Sequence, residues 1–161
     1  MKKYNIIAFI AVLLMAVYHA ILQCFGREEC HNALADSPHP TGAISLIAEF
    51  APSLTHLMVK AGATAGNFAL CAATNKPLGP CTDTPASGER GNVRHLGAAT
   101  GTCVARGSKA IAAQVPIYTT AAGKVTDTSV TGCYLVGTSV TACTGDGAEF
   151  EFVPCYPVVQ A

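Results

Sequence analysis

The hydrophobic pattern divides the chain into an apolar front, a short segment of helical period and a long region of alternating residues. Residues 4–26 contain no Asp, Glu, Lys or Arg, and residues 6–17 are twelve consecutive apolar positions. The basic pair Lys2 and Lys3 precedes this run. An uncharged apolar segment behind a basic start is typical of a chain that enters or crosses a membrane.

The length of this front leaves several interpretations open. Residues 1–26 are long enough for a signal anchor with residues 4–23 in the membrane, because a spanning helix needs about 20 mostly apolar residues. A signal peptide cleaved after Ala20 also fits, and so does lipidation at Cys24. In each case the basic start stays in the cytoplasm. We therefore expect export to the cell surface or periplasm, membrane-anchored, or secretion once the leader is removed.

The next two segments predict a linker and a helix. Residues 27–40 are polar and contain two prolines, which favours a linker. In residues 41–62 the apolar positions recur at steps of three and four, the spacing of one face of a helix, with a kink at Pro52. Those positions are Ile44, Ile47, Ala48, Ala51, Leu54, Met58 and Ala61. Glu49 and His56 lie seven apart there, and we interpret them as solvent-facing polar positions in preference to an acid–base pair.

The remainder of the chain predicts short strands. Residues 149–153 alternate strictly, which predicts Phe150 and Phe152 inward and the two carboxylates outward. Pro116 predicts an edge strand, and residues 137–139 predict a turn. The predicted fold class is α+β: an N-terminal apolar helix, a short amphipathic helix, and a small disulfide-stabilised antiparallel β domain. The exported domain spans residues 41–161.

An even number of cysteines follows the apolar run, and exported proteins meet an oxidising environment in which disulfides persist. Cysteines ten apart can face each other across a hairpin, which suggests Cys71–Cys81 and Cys133–Cys143. Cys24–Cys30 and Cys103–Cys155 complete this set, although eight cysteines allow many other connectivities. The candidates are Cys24, Cys30, Cys71, Cys81, Cys103, Cys133, Cys143 and Cys155.

Charge and motifs exclude several classes of function. The chain has ten basic and ten acidic residues and a net charge of zero, so it offers no basic patch for nucleic acid. It contains no Cys-x-x-Cys, His-Glu-x-x-His, Gly-x-Ser-x-Gly or phosphate-loop sequence. We therefore predict no catalytic, cofactor-binding or metal-binding residues, and a protein that is not an enzyme.

These features together predict a membrane-anchored extracytoplasmic structural subunit, a surface or filament protein that acts by self-association or contact with other surface proteins. The layout is similar to that of type IV pilins, which join an N-terminal apolar helix to a β domain with a C-terminal disulfide. The chain lacks their Gly followed by Phe-Thr-Leu-Ile-Glu, so the similarity is one of layout with an atypical N-terminus. A secreted disulfide-rich binding module, using the Gly- and Thr-rich loops of residues 75–101, is the other interpretation.

Overall fold

Ten β-strands make up the regular structure of the computed structural model, which describes residues 42–99 and 101–161. Within those ranges the helical structure is limited to one 3-10 turn, Ala121–Gly123. None of the described helical structure is long and apolar enough to cross a membrane. The predicted leader and linker, together with Cys24 and Cys30, lie outside the described residues, so the predictions made for them stay predictions.

The strands form two five-stranded sheets, each with neighbours that are distant in sequence. The first sheet has the spatial order β4-β2-β3-β1-β5, and the second has the order β6-β10-β9-β7-β8. The first contains Ala43–Ala48 (β1), Met58–Ala61 (β2), Asn67–Leu70 (β3), Gly79–Pro80 (β4) and Arg90–Arg94 (β5). The second contains Cys103–Arg106 (β6), Pro116–Thr119 (β7), Val125–Thr126 (β8), Tyr134–Ser139 (β9) and Glu149–Val159 (β10).

The first sheet curls until its two outer strands meet. Its pairs are antiparallel except for β1 with β3. Cys81, directly after β4, forms an antiparallel bridge with Val93 of β5. Gly79 lies so close to β5 that a Cβ atom there would meet the carbonyl oxygen of Arg94 at 1.8 Å. The closure leaves no long open edge on this sheet, and open edges invite unwanted strand pairing.

The second sheet also brings its outer strands together. Gly107, one residue after β6, forms a parallel bridge with Val125 of β8, and the amide of Ser108 donates to the Val125 carbonyl at 2.8 Å. All five named strands pair antiparallel. Phe150 and Phe152 point into the curl and are buried, so the alternation predicted for β10 is confirmed.

The interior is continuous from the second sheet into the first. Met58 of β2, Cys71 after β3 and Leu96 after β5 belong to the same buried cluster as the core of the second sheet. A second buried cluster, centred on Phe68, fills the curl of the first sheet. The other buried residues of the larger cluster are Cys103, Ala105, Ile111, Ile117, Val125, Val136, Cys143, Phe150 and Phe152.

The predicted α+β class is wrong for the described residues, because the segment predicted to be a kinked helix contains the strands β1 and β2 instead. Ile44, Leu46 and Ala48 of β1 pack in the buried cluster around Phe68, whereas Ile47 is exposed. The buried side chains of this segment therefore recur every two residues, as in a strand. The same apolar residues fit both periods over a short stretch, and β-branched isoleucines favour strands. The strand is favoured over the helix because β3 and β5 supply hydrogen-bond partners for the backbone of β1.

Two finer predictions are also wrong, both because strand neighbours cannot be read from local sequence. Pro116 begins β7, which lies between β9 and β8 and is not an edge strand. The proline is tolerated because a missing N–H is least harmful at the first residue of a strand. Residues 137–139 lie inside β9 and do not form a turn.

The closure of the first sheet predicts that Gly79→Ala is destabilising. An added methyl group would press on the Arg94 backbone, and overpacking of this kind costs about 1–3 kcal/mol. Gly145→Ala is the matched control, because a Cβ atom there meets nothing within 4 Å. Urea unfolding of both variants measures the difference, and equal free energies of unfolding for the two would contradict the closure.

Candidate functional site

All six described cysteines have free thiols, five of them buried and Cys155 half-buried. The structure therefore lacks the predicted bridges Cys71–Cys81, Cys133–Cys143 and Cys103–Cys155, and the other two candidates lie outside the described residues. The hairpins assumed for the ten-residue spacing do not exist. Cys71 follows β3, whereas the backbone of Cys81 forms a β-bridge with Val93 of β5.

The same holds for the second pair. Cys133 precedes β9, whereas the backbone of Cys143 forms a β-bridge with Ile111. The remaining predicted pair fails for a different reason, because Cys103 lies opposite Phe152 in the register and so three residues short of Cys155 on β10.

Cys71 and Cys81 are buried thiols within the core. The Sγ atoms of Cys71 and Cys81 lie 3.3 Å from the carbonyl oxygens of Ala72 and Asp83. Burial raises the pKa of the Cys71 thiol to about 11 and that of Cys81 to about 12. Because the thiolate is the reactive form, these side chains are poor nucleophiles at neutral pH.

Glu49 and His56 lie apart and serve different loops. The Glu49 carboxylate accepts hydrogen bonds from the amides of Ala63 and Thr64 at 3.0 Å each and so closes the turn between β2 and β3. His56 Nδ1 lies 3.0 Å from Oε1 of Glu149. Glu49 and His56 therefore do not form an acid–base couple. Glu49 is half-buried at the turn that it closes.

Glu149 joins the loop before β2 to the second sheet. Its Oε1 atom lies 2.6 Å from Nη2 of Arg106 and 3.2 Å from the hydroxyl of Thr55. Arg106 also donates from Nε to the Thr55 carbonyl at 2.7 Å and from Nη1 to the Gly147 carbonyl at 2.6 Å. Every partner is a neighbouring loop or strand, so this cluster, which we call the Glu149 clamp, stabilises the fold.

The described residues hold no group of three or more metal-ligating side chains. The second sheet also has a surface without charged residues. β7, β9 and residues 153–159 of β10 are adjacent strands, and none of them contains Asp, Glu, Lys or Arg. We call the outward side of these three strand segments the neutral face.

Two cross-strand rows form the neutral face. In one row Tyr118, Leu135 and Val158 are register partners across β7, β9 and β10. In the other row Pro116, Thr138 and Val153 are register partners in the same way. Val153 and Val158 are 51% and 52% exposed, and the inward neighbours Ile117, Val136 and Phe152 are buried.

Tyr156 stands at the rim of the neutral face and is 62% exposed. The ammonium of Lys76 lies 2.9 Å from its hydroxyl and 4.8 Å from the ring centroid. This contact lowers the pKa of the Tyr156 phenol through the hydrogen bond from Lys76. The ring is therefore held in place, although its surface remains open to solvent.

A shallow pocket of about 240 Å³ adjoins Tyr156. Lys76, Leu78, His95 and Pro157 are among the residues that line it. These first three residues belong to the Gly- and Thr-rich loops that the sequence suggested for ligand binding. The lining contains one lysine and no carboxylate.

Sequence comparison does not place the chain in a family: no family model matches it, and no curated protein matches it. Its fold resembles a solved structure, the N base of the head fibre gp8.5 of bacteriophage phi29, with a TM-score of 0.57. The two chains are 12% identical over 74% of this chain and 98% of that one. A likeness at this identity shows a shared fold and leaves function to be argued from the site.

Sequence reasoning missed the neutral face because its members come from three separated segments. The signal was nevertheless visible in part: residues 152–161 contain no charged residue. Only the strand register shows that this run lies beside two further uncharged strands.

The free thiols predict a graded reaction with maleimide under native, non-reducing conditions. Cys155 should react before Cys71, Cys81, Cys103, Cys133 and Cys143, which are buried and should react only after unfolding. Peptide mapping by mass spectrometry measures both the order of labelling and any linkage. Recovery of Cys71–Cys81 or Cys133–Cys143 as linked peptides would show that the thiols are not free.

The Glu149 clamp predicts a loss of stability in acid. The hydrogen bond with His56, and secondarily the Arg106 charge, hold the pKa of Glu149 below its ordinary value of 4.5. The unfolded chain therefore binds the proton more readily, and the stabilisation present above pH 4.5 is lost as pH falls through the folded pKa.

Glu149→Gln should be less stable than the native chain at pH 7, and this difference should shrink towards pH 3. We expect about 1 kcal/mol at pH 7, because the carboxylate is 44% exposed and solvent screens its charge. Urea unfolding at both pH values is the measurement. Asp146→Asn, at a 67% exposed side chain, is the control and should change stability less; an equal deficit for Glu149→Gln at both pH values would rule out the linkage.

Proposed function

We propose that this chain is a structural subunit that acts through protein–protein contacts within a larger assembly and not by catalysis. The observation that carries the proposal is the neutral face, an exposed sheet surface without charge on a chain of zero net charge. Ordinary surfaces of soluble proteins intersperse charges of both signs, which keep neighbours apart. A surface that lacks them over three adjacent strands suits a permanent neighbour.

The polar clusters support the same proposal. Glu149 and Arg106 bind each other and the Thr55 loop, and Glu49 closes a turn. Each of these groups has a partner within the fold that accounts for its position. Cys71 and Cys81, whose thiol pKa values are raised by burial, add packing to the core and are poor nucleophiles.

The likeness to the phi29 protein favours an assembly role of a particular kind. That protein is described as the base of a head fibre. We propose by analogy that the present chain serves as a base or body domain of a surface appendage. The pilin layout is not carried forward, because the described domain is two curled sheets.

Membrane attachment and export belong to the proposal as well. Residues 4–23 are uncharged and long enough to hold the chain at a membrane, with the sheets on the outer side. The five buried thiols are shielded from oxidants by the core, so their free state does not conflict with that location.

A secreted binding module is the second candidate, and the pocket beside Tyr156 favours it. The pocket joins one lysine to the apolar walls of Leu78 and Pro157, an arrangement that could receive a small acidic group. This candidate requires a monomer that binds its ligand without joining any assembly.

Fractionation of the native source tests the assembly proposal. We expect the chain to co-sediment with particles, filaments or membranes of high mass at 1 M salt, because apolar contacts are not screened by ions. Immuno-electron microscopy should place it on the exterior of those assemblies. Recovery of the chain solely as a free monomer in the soluble fraction would contradict the proposal and favour the binding module.

A further inference from the structure

We propose that the neutral face packs against the same face of a second copy of this chain about a two-fold axis. The inference rests on the proposed function, since it names the partner and the contact surface of the subunit. In a two-fold interface the same patch occurs on both sides. The face must therefore be complementary to itself in charge and in shape.

The charge requirement is met by the composition of the three strands. β7, β9 and residues 153–159 contain no ionisable acid or base other than tyrosines and Cys155. Two such faces meet without like-charge repulsion and without burying an unpaired charge. A charged partner would require complementary charges on the face, and the three strand segments contain none.

The shape requirement is met by the two rows. Tyr118, Leu135 and Val158 form one ridge of side chains, and Pro116, Thr138 and Val153 form the next. Sheets pack face to face at about 10 Å with their side chains interdigitated. Ridges of mixed large and small side chains can interleave with their own copy in this way.

The backbone of β10 favours packing by faces over extension of the sheet. β6 covers β10 only along Glu149–Phe152, so the later residues have an open edge. The Glu151 carbonyl accepts from the Val140 amide at 2.7 Å, and Val153 is the register partner of Thr138. Along residues 151–154, before the register shift of β10, odd-numbered backbone groups therefore point towards β9 and even-numbered groups towards that edge. Pro154 therefore occupies an edge position and has no N–H to offer a new strand.

At the rim of the neutral face, Tyr156 would lose little side-chain freedom when a dimer forms. Lys76 already fixes its ring through the 2.9 Å hydrogen bond to the hydroxyl. Gly97 lies behind the ring, where even a Cβ atom would be 3.2 Å from Tyr156 Cδ2. A fixed aromatic side chain loses little freedom on binding, and such residues are common anchors at interfaces.

The test is sedimentation velocity of the full chain in a mild detergent over a wide range of concentration. The native chain should form a dimer. Val153→Lys and Val158→Lys, each placing like charges on the two facing surfaces, should weaken dimerisation by about 100-fold or more. Ile47→Lys is the matched control, because it lies exposed on β1 of the other sheet and should leave the dimer intact.

Two further measurements separate the interface from a folding defect. Thermal unfolding should show the three lysine variants to be similarly stable, because each replaces an exposed side chain. An equimolar mixture of Val158→Lys and Val158→Glu chains should regain dimers that neither variant forms alone. Unequal stability with no recovery in the mixture would count against the face.

Two outcomes would overturn the inference: a native chain that stays monomeric at every concentration, or a dimer that both lysine variants leave unchanged. Neither outcome touches the proposed function if the chain still co-sediments with large assemblies, because its partner there is then another protein or another surface. A dimer that depends on the neutral face, in a chain absent from any assembly, would instead leave the inference standing and remove the proposed function.

Discussion

The closure of two short-stranded sheets around a continuous core is the constraint on which the rest of the structure depends. Apart from β10, the strands are two to six residues long, too short to be stable as isolated hairpins. Curling brings the first and last strands of each sheet into contact and removes most open edges. Met58, Cys71 and Leu96 then carry the larger buried cluster from one sheet to the other.

This closure explains where the charged residues lie. Glu149 and Arg106 occupy adjacent strands of the second sheet and bind the loop that leads into β2, so they tie the two sheets together. Lys124 with Asp146 and Lys109 with Asp127 join loops at other points of the surface. The strands β7 and β9 and the second half of β10 take no part in these pairs, which is how an uncharged face arises.

The sequence predicts well the elements whose pattern is local. Strict alternation in residues 149–153 is enough to place Phe150 and Phe152 inside, because a single strand face determines it. The information lies within a few neighbouring residues.

The sequence fails where strand neighbours decide the outcome. In residues 41–62 the apolar positions suit both a helix and a strand, and only pairing with β3 and β5 distinguishes them. The cysteine spacing suggested hairpins, yet the backbone of Cys81 pairs with Val93 of β5 and that of Cys143 pairs with Ile111. Non-local pairing also created the neutral face, since three separated uncharged segments became adjacent only through register.

The open edge of β10 and the neutral face differ in whether they can receive a neighbouring molecule. A long open edge on β10 would favour indiscriminate strand addition, and Pro154 blocks it at the position where a new strand would need an N–H. The outward side chains are not protected in any such way: Val153 and Val158 stay exposed with no charge beside them on β7 or β9. A surface that suppresses one mode of association and leaves another open is better suited to one defined neighbour than to solvent. That asymmetry, more than the low charge of the chain as a whole, is the physical argument for the proposed role as a subunit that works by contact.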